Sequence, residues 1–303
     1  MRLSLDSIID SRLLPLADET RAFYAQRGNR SGPAGAQELA EARAAAPALI
    51  PSDPPAQYEI VSGNGRAVPV RIQTPTSTPS QGVILDLHGG GFFLGAGSRD
   101  DLRNRALADA HDATVVSVDY RLAPEDPWPA APDDVEAAAL WLVESASDRF
   151  GTERLVISGF SAGSTLAMTT LVRLRDRGIA AFRGAVLQCG TYDLSCRTPA
   201  GRLIADEYFL GAYAGAAPDR THPDISPIYA DVRGLPPILL VVGADDVLLA
   251  DNLALAAHLV AARVDVDLRV YPAAPHAFTG HDAPMARAAL DDIDEWIAER
   301  LRD

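Results

Sequence analysis

The chain has 303 residues, of which 48% are hydrophobic and 22% are charged, as in a globular protein with one large domain or two small ones. It carries 27 basic and 41 acidic residues, so its net charge is −14. An acidic surface repels phosphate backbones and anionic lipids, which argues against nucleic acid and membrane surfaces as partners.

All the basic residues are arginine, because the sequence contains no lysine. Chemistry that needs an amine is therefore excluded, including a lysine-bearing phosphate loop, a pyridoxal phosphate Schiff base and a serine–lysine dyad. The two cysteines, Cys189 and Cys196, are too few for a disulfide scaffold. Asp6 and Asp10 interrupt the N-terminal segment where a signal peptide needs apolar residues. We therefore expect a cytoplasmic protein that does not insert into membranes.

Apolar strand patterns alternate with helical patterns along most of the chain, and Gly63-Asn64-Gly65 predicts a hairpin turn between the first two strands. Strands are predicted at 57–62, 67–73, 83–87, 113–119, 154–158, 184–189, 237–242 and 266–271. Helices are predicted near 98–110, 132–146, 162–177, 251–263 and 283–301. The alternation predicts an α/β fold with a mostly parallel eight-stranded sheet and helices on both faces.

Two segments lie outside this alternation and predict a helical cap. Residues 1–50 have apolar positions at helical spacing and end at a proline-rich boundary, which separates them from a main domain at 51–303. The connection between the strands at 184–189 and 237–242 is about 47 residues long and rich in aromatic residues. Because connections of this length usually form a lid or a binding region, we predict a cap insertion at about 191–228.

The strongest chemical signal is the segment Gly159–Gly163, which reads GFSAG between a predicted strand and a predicted helix. A tight strand-to-helix turn of this type exposes the hydroxyl group of Ser161 above the sheet. It also directs free N–H groups of the new helix at negative charge that develops beside the serine. A chance Gly-Ser turn is the alternative interpretation, and the flanking strand and helix argue against it.

A second signal is the segment His88–Phe92, which reads HGGGF directly after the strand at 83–87. Consecutive glycines expose backbone N–H groups and let a substrate approach the main chain closely. An acyl-transfer enzyme needs such donors beside its serine to hold an oxyanion. The alternative interpretation is a glycine-rich turn that only bends the chain.

A nucleophilic serine needs a base and an orienting carboxylate. His276 follows the last predicted strand, at the sheet edge where sites of open α/β sheets gather, and His281 is its only serious competitor. Asp245 and Asp246 follow the strand at 237–242. Spacing does not separate these two carboxylates, although only one of two adjacent side chains can face the histidine. The order serine, aspartate, histidine is that of the α/β-hydrolase fold.

Taken together, these motifs resemble the hormone-sensitive-lipase-like group of α/β-hydrolases. The resemblance covers the chain from about residue 57 to the C-terminus and is carried by HGGGF (88–92), DYRLAPE (119–125), GFSAG (159–163), residues 226–237, GADDVL (243–248) and PHAF (275–278). It implies an α/β-hydrolase fold with a triad of Ser161 as nucleophile, Asp246 as acid and His276 as base. It further implies an oxyanion hole formed by the N–H groups of Gly90, Gly91 and Ala162.

The chain departs from the group's pattern beside the nucleophile, where Phe160 takes a variable position and Ser164 replaces a glycine. Neither change removes a catalytic atom, so both bear on substrate preference. The aromatic residues suggest a pocket for an uncharged acyl or alkyl group. The residues predicted to line that pocket are Phe92, Phe93, Phe160, Tyr208, Phe209 and Phe278.

The sequence thus predicts a serine carboxylesterase for short- to medium-chain, uncharged acyl esters. Its expected partner is a small-molecule ester; we expect no metal and no cofactor, and a homodimer remains open. Similar proteins cleave lactones, N-acetyl amides or aryl formamides with the same triad, and the sequence does not separate these reactions. A non-catalytic binding protein is the remaining alternative. Plant relatives with that role have lost the triad histidine, whereas His276 is present here.

Overall fold

A computed structural model of the chain describes residues 4–27, 32–76 and 79–302. Parts of the predicted N-terminal cap segment, residues 1–3 and 28–31, lie outside the described residues. The same holds for residues 77–78 in the connection before the third strand and for residue 303.

Within the described residues the sheet has eight strands, as the sequence predicts. They are β1 (Gln57–Gly63), β2 (Arg66–Gln73), β3 (Val83–Leu87), β4 (Thr114–Val118), β5 (Leu155–Phe160), β6 (Phe182–Gln188), β7 (Ile238–Gly243) and β8 (Val266–Tyr271). Their order across the sheet is β1-β2-β4-β3-β5-β6-β7-β8. The strands β1 and β2 form the predicted hairpin, and β2 is also antiparallel to β4. All later pairs are parallel, which confirms the predicted α/β-hydrolase fold.

The central strands are apolar without alternation because both faces of the sheet are covered. Leu85 of β3 packs in one buried cluster, and its neighbour Ile84 packs in the cluster on the opposite face. Both side chains have no measurable exposure to solvent. The two clusters hold the sheet between two layers of helices, as predicted.

The described helices are the long ones that cover the sheet and several shorter ones. They are α1 (Leu5–Ile8), α2 (Ala17–Ala25), α3 (Ala36–Ala44), α4 (Asp101–Ala110), α5 (Ala130–Phe150), α6 (Ala162–Asp176), α7 (Tyr208–Ala214), α8 (Leu249–Ala261) and α9 (Pro284–Arg302). Helices α5, α6 and α8 contribute to the cluster on one face, and α4 and α9 to the cluster on the other. Among the described residues, no helix combines the length and the apolar character that crossing a membrane would require.

The segment predicted as the N-terminal part of the cap contacts two separate regions. Arg12 pairs with Asp292 of α9, and the hydroxyl group of Tyr24 lies 3.0 Å from Nδ1 of His281. Arg43 of α3 instead reaches the loop that follows β3. The connection between β6 and β7 contains α7. Its assignment as a cap insertion at about 191–228 stays a prediction, and so does the domain boundary after residue 50.

Candidate active site

Ser161 lies at the turn between β5 and α6, with a backbone φ of 51° and ψ of −115°. Such a positive φ is strained for a residue with a side chain, and strain of this kind concentrates at functional sites. The turn is tight because glycines flank the serine. A Cβ atom at Gly159 would overlap the backbone of Gly163, and one at Gly163 would overlap the carbonyl oxygen of Leu87. The first turn of α6 thus packs directly on β3, and Ser161 precedes its N-terminus.

His276 approaches this serine from the loop after β8. Its Nε2 atom lies 3.1 Å from Oγ of Ser161, although 115 positions separate the two residues. Three residues further along, the loop is fastened to the sheet, because the hydroxyl group of Thr279 donates a 2.8 Å hydrogen bond to Oε1 of Gln188 at the end of β6. Sequence reasoning gave no sign of the Thr279–Gln188 contact.

Asp246 lies on the other side of the imidazole. Its carboxylate oxygens are 3.0 and 3.1 Å from Nδ1 of His276, and Oδ1 also accepts a 2.8 Å hydrogen bond from the N–H of Leu248. Asp246 is buried and Asp245 is exposed. Of the two carboxylates that spacing left open, the structure therefore brings Asp246 to the histidine.

His281, the competing histidine, does not face the serine in this arrangement. Its Nδ1 atom lies 3.0 Å from the hydroxyl group of Tyr24, and its ring packs near Phe23 and Tyr24 of α2. Burial lowers the pKa of His281 from its ordinary value, with a smaller contribution from the positive charge of Arg27. Of the two histidines, only His276 contacts both Ser161 and a carboxylate in the described residues.

The glycine segment after β3 forms a loop beside the Ser161 turn, which we call the oxyanion loop (residues 89–95) after the role predicted for Gly90 and Gly91. Gly90 and Gly91 have φ values of 125° and 59°, and a Cβ atom at Gly90 would overlap the carbonyl group of Leu94. The carbonyl oxygen of Gly90 accepts hydrogen bonds from the N–H groups of Phe93 (3.2 Å) and Leu94 (2.8 Å). Only glycine combines this backbone shape with such close packing.

Residues distant in sequence hold the oxyanion loop from outside. The guanidinium group of Arg43 donates hydrogen bonds of 2.8 Å to the carbonyl oxygens of Phe93 and Ala123. The N–H of Ala123 in turn donates to the carbonyl oxygen of Phe92. Arg43 also pairs with Glu125 at 2.7 Å and so lowers the pKa of that carboxyl group. Sequence reasoning missed Arg43, because no motif surrounds it.

His88, at the start of the loop, has a structural environment. Its ring stacks on Tyr120 with 4.2 Å between ring centroids, and the hydroxyl group of Tyr120 donates a 2.7 Å hydrogen bond to the backbone oxygen of His88. Burial lowers the pKa of His88 from its ordinary value and raises that of Tyr120. We infer from this environment that both residues support the oxyanion loop structurally.

Four of the six aromatic residues predicted for the pocket lie in the oxyanion loop or in α7. Phe93 lies near Tyr208 and Phe209 of α7, with ring centroids 6.0 and 6.5 Å away, and Gly91 faces Phe209. This group places α7 over the oxyanion loop. Phe92 is fully buried and stacks on Tyr213 at 3.9 Å, so it supports the loop from inside.

The other two predicted pocket residues lie elsewhere. A Cβ atom at Gly89 would overlap the ring of Phe160, and one at Gly280 would lie 3.9 Å from it. The ring of Phe160 is thus inserted between the oxyanion loop and the loop after β8, which carries His276. Phe278 is fully buried and packs near Tyr271 in the cluster beneath α9. For Phe160 and Phe278, a position in the substrate pocket therefore stays a prediction.

Cys189 is a further residue beside the predicted triad, and no sequence motif pointed to it. It follows β6 directly, is 2% exposed and has a φ of 42°. Among the described residues, Cys189, Asp246 and His276 form a group whose potential ligand atoms lie within 4.8 Å of one another. Burial, supported by the charge of Asp246, raises the pKa of the Cys189 thiol.

Comparison with known proteins identifies similar chains. A family model described as the alpha/beta hydrolase fold matches residues 84–280. An acetyl-hydrolase of Streptomyces hygroscopicus is 33% identical over 226 residues, 69% of this chain and 73% of that protein. An ethyl acetate hydrolase of Pseudomonas putida is 33% identical over 234 residues, 72% of this chain and 74% of that protein. The crystal structure of a hormone-sensitive lipase from a metagenome library has a TM-score of 0.74 and 29% identity, covering 97% of this chain and 99% of that one.

Proposed function

This chain belongs to the α/β-hydrolase fold family, in its hormone-sensitive-lipase-like group, and we propose that it is a serine carboxylesterase. One observation carries the proposal: a continuous chain of hydrogen-bonding contacts runs from Asp246 through His276 to Oγ of Ser161. A serine hydroxyl group is a weak nucleophile unless an oriented base takes its proton. Two of the similar proteins are named as an acetyl-hydrolase and an ethyl acetate hydrolase, which supports a hydrolase of esters.

In the first half of the reaction, Ser161 attacks the ester carbonyl while Nε2 of His276 takes its proton. Asp246 holds Nδ1–H of the imidazole, which keeps the tautomer with a free Nε2 lone pair and stabilises the imidazolium ion that forms. The imidazolium then donates its proton to the departing alcohol. An acyl-enzyme on Ser161 remains.

In the second half, His276 takes a proton from a water molecule, which attacks the acyl-enzyme and releases the acid. Both halves pass through a tetrahedral intermediate with a negatively charged oxygen. The N–H groups of Gly90, Gly91 and Ala162 are the proposed donors to that oxygen. One such donor contributes roughly 3–4 kcal/mol to transition-state stabilisation, because it is already oriented in a site that excludes water.

We propose a substrate with an uncharged acyl group of short to medium chain length. Phe93 and Phe209 lie beside Gly91 of the oxyanion loop and Tyr208 lies near Phe93, and aromatic rings of this kind favour apolar groups. The stacking of Tyr213 on Phe92 keeps α7 close to this loop, which favours short chains over long ones.

The test is hydrolysis of p-nitrophenyl esters from acetate to decanoate by the wild type and by Ser161→Ala. We expect turnover of the short esters and a loss of at least about a thousandfold in the variant, because its side chain cannot form the acyl-enzyme. The chain length with the highest kcat/KM then gives the size of the pocket. A Ser161→Ala enzyme as fast as the wild type would exclude Ser161 as the nucleophile. If neither protein cleaves any ester in the series, the proposed substrate class is wrong.

A further inference from the structure

The thiol of Cys189 lies against the two triad residues that the ester reaction uses as base and acid. Its sulfur atom, one ring nitrogen of His276 and a carboxylate oxygen of Asp246 are all within 4.8 Å of one another. Cys189 and Asp246 are buried, whereas 37% of the His276 side chain is exposed. Of the three side chains, only the imidazole of His276 is therefore in contact with solvent.

The ester reaction gives this thiol no part. Nε2 of His276 faces Ser161 and Nδ1 faces Asp246, so the contacts that the ester reaction uses are complete without Cys189. The backbone N–H groups of Ala277 and Ser161 favour the negatively charged form of the thiol. Burial opposes that form and raises the pKa of the thiol, so free Cys189 is protonated.

We propose that Cys189, His276 and Asp246 form an inhibitory site for a thiophilic divalent cation such as Zn²⁺. Thiolate sulfur, imidazole nitrogen and carboxylate oxygen are the donors that Zn²⁺ prefers, at about 2.3, 2.0 and 2.0–2.2 Å. Ligand atoms around a tetrahedral ion with these bond lengths lie roughly 3.3–3.6 Å apart. Because the three atoms lie within 4.8 Å, small side-chain movements bring them to this spacing. A water molecule on the exposed side of His276 completes the coordination.

Binding of the cation changes the protonation of two groups. The thiol of Cys189 releases its proton to solvent and becomes a thiolate ligand. The imidazole proton leaves Nδ1, which binds the cation, and is replaced by a proton on Nε2, so His276 stays neutral. An Nε2–H group cannot accept the proton of Ser161. The inference rests on the proposed function at this point, because inhibition follows only if His276 is the base.

The experiment measures cation binding and ester hydrolysis separately. Zn²⁺ is titrated into p-nitrophenyl acetate assays, with Mg²⁺ as a hard cation for comparison, and a chelator is then added to restore activity. Binding itself is followed with Cd²⁺, whose thiolate complexes give a ligand-to-metal charge-transfer band in the ultraviolet. The variants are Cys189→Ala, which removes the ligand, and Cys189→Ser, which keeps a polar atom for the N–H groups of Ala277 and Ser161. Cys196→Ala is the matched control, because that half-buried thiol contacts the backbone oxygen of Leu194 instead.

We expect Zn²⁺ to inhibit the wild type and Cys196→Ala reversibly, and Mg²⁺ to leave both active. Both Cys189 variants keep esterase activity and lose at least about 100-fold in Zn²⁺ sensitivity, since the loss of an outer partner alone costs 10- to 100-fold in affinity. The Cd²⁺ band disappears in both Cys189 variants. Equal Zn²⁺ sensitivity in wild type and Cys189→Ser, or a Cd²⁺ band that survives in either Cys189 variant, would overturn the proposal.

The Ser161→Ala protein separates this proposal from the proposed function. It lacks the nucleophile but retains all three cation ligands, so it gives the Cd²⁺ band without esterase activity. A band in every protein except the Cys189 variants, with no esterase activity in the wild type, would reject the function and keep the cation site. An active wild type without the band would reject the site and keep the function.

Discussion

The turn at Ser161 (residues 159–163), which we call the nucleophile turn after its proposed role, and the oxyanion loop lie side by side, but different parts of the chain hold them. The turn at Ser161 is determined by its own neighbours, because Gly159 and Gly163 allow β5 and α6 to pack without a gap. The oxyanion loop depends in addition on Arg43, which binds the carbonyl oxygen of Phe93 from 50 positions away. The motif at 159–163 therefore specifies the nucleophile turn fully, whereas the motif at 88–92 specifies the oxyanion loop only in part.

This difference predicts how each element responds to substitution. A change inside the nucleophile turn meets backbone atoms, which cannot move without displacing a strand. A change in the external support of the oxyanion loop leaves the fold intact and alters catalysis instead. The four substitutions below test this contrast in order of expected effect.

The largest effect is expected for Gly163→Ala. The added Cβ atom would overlap the backbone carbonyl groups of Leu87 and His88, so α6 must move away from β3. We expect a loss of about 3 kcal/mol or more in the free energy of unfolding, together with most of the esterase activity. Urea unfolding and p-nitrophenyl acetate assays measure both quantities. A stable and active variant would show that the turn tolerates movement, which would contradict the difference that we expect between the nucleophile turn and the oxyanion loop.

A second effect concerns Asp251 of α8, which holds the start of the predicted cap insertion. Its Oδ2 atom accepts hydrogen bonds from the N–H groups of Tyr192 (2.5 Å) and Asp193 (3.2 Å). Burial nevertheless raises the pKa of Asp251 from its ordinary value of 3.8 to about 6. Between these two pH values the folded protein binds more protons at this group than the unfolded chain, so stability falls as pH rises.

The size of this effect follows from the pKa difference. We expect Asp251 to lower the free energy of unfolding by about 3 kcal/mol as the pH rises from about 3 to about 7. Asp251→Asn cannot titrate at this position, so the wild type should lose stability relative to the variant across that range. Urea unfolding of both proteins at several pH values tests this. Parallel curves would show that Asp251 keeps an ordinary pKa in the folded protein.

The external support of the oxyanion loop is tested by Arg43→Ala. Without the guanidinium group, the carbonyl oxygens of Phe93 and Ala123 lose their donor and the loop gains freedom. We expect kcat to fall about tenfold, equivalent to about 1.4 kcal/mol, while KM changes little, because the oxyanion forms only after substrate binding. Glu125→Gln is the control, since it removes a charge partner and leaves the contacts of Arg43 to the backbone. A matching loss of kcat in Glu125→Gln would assign the effect to charge rather than to the loop.

The smallest effect is expected for Gly211→Ala in α7, the counterpart of Gly163→Ala. An added Cβ atom at Gly211 meets nothing within 4 Å. Because alanine favours helix more than glycine does, we expect a gain of about 0.5–1 kcal/mol in the free energy of unfolding. Esterase activity should stay at the wild-type level. A destabilised variant would mean that the helix packs more tightly than its surroundings indicate.

The fold was predictable from the sequence because the signals that specify it are local. Continuous apolar strands, helical spacing and the Gly63–Gly65 turn predicted eight strands and the hairpin at the edge, and the structure confirms both. The glycine spacing around Ser161 likewise predicted a strand-to-helix turn, which the structure contains. Each of these features depends on the conformation of a few consecutive residues.

The surroundings of the site were less predictable. Spacing left Asp245 and Asp246 equivalent, since the direction of each side chain depends on how the loop after β7 packs. The sequence gave no sign that Arg43 supports the oxyanion loop. It also gave no sign that Cys189 approaches the imidazole of His276.

By itself, therefore, the sequence determined the order of strands and helices along the chain and the segments that carry the proposed nucleophile, acid and base. Only the tertiary structure decided which side chains meet. It brought His276 to Ser161 across 115 positions and Asp246 to His276 across 30. The physical reason is that periodicity and turn chemistry act over a few residues, whereas contacts between side chains depend on the packing of whole elements. Those contacts determine the chemistry of the site.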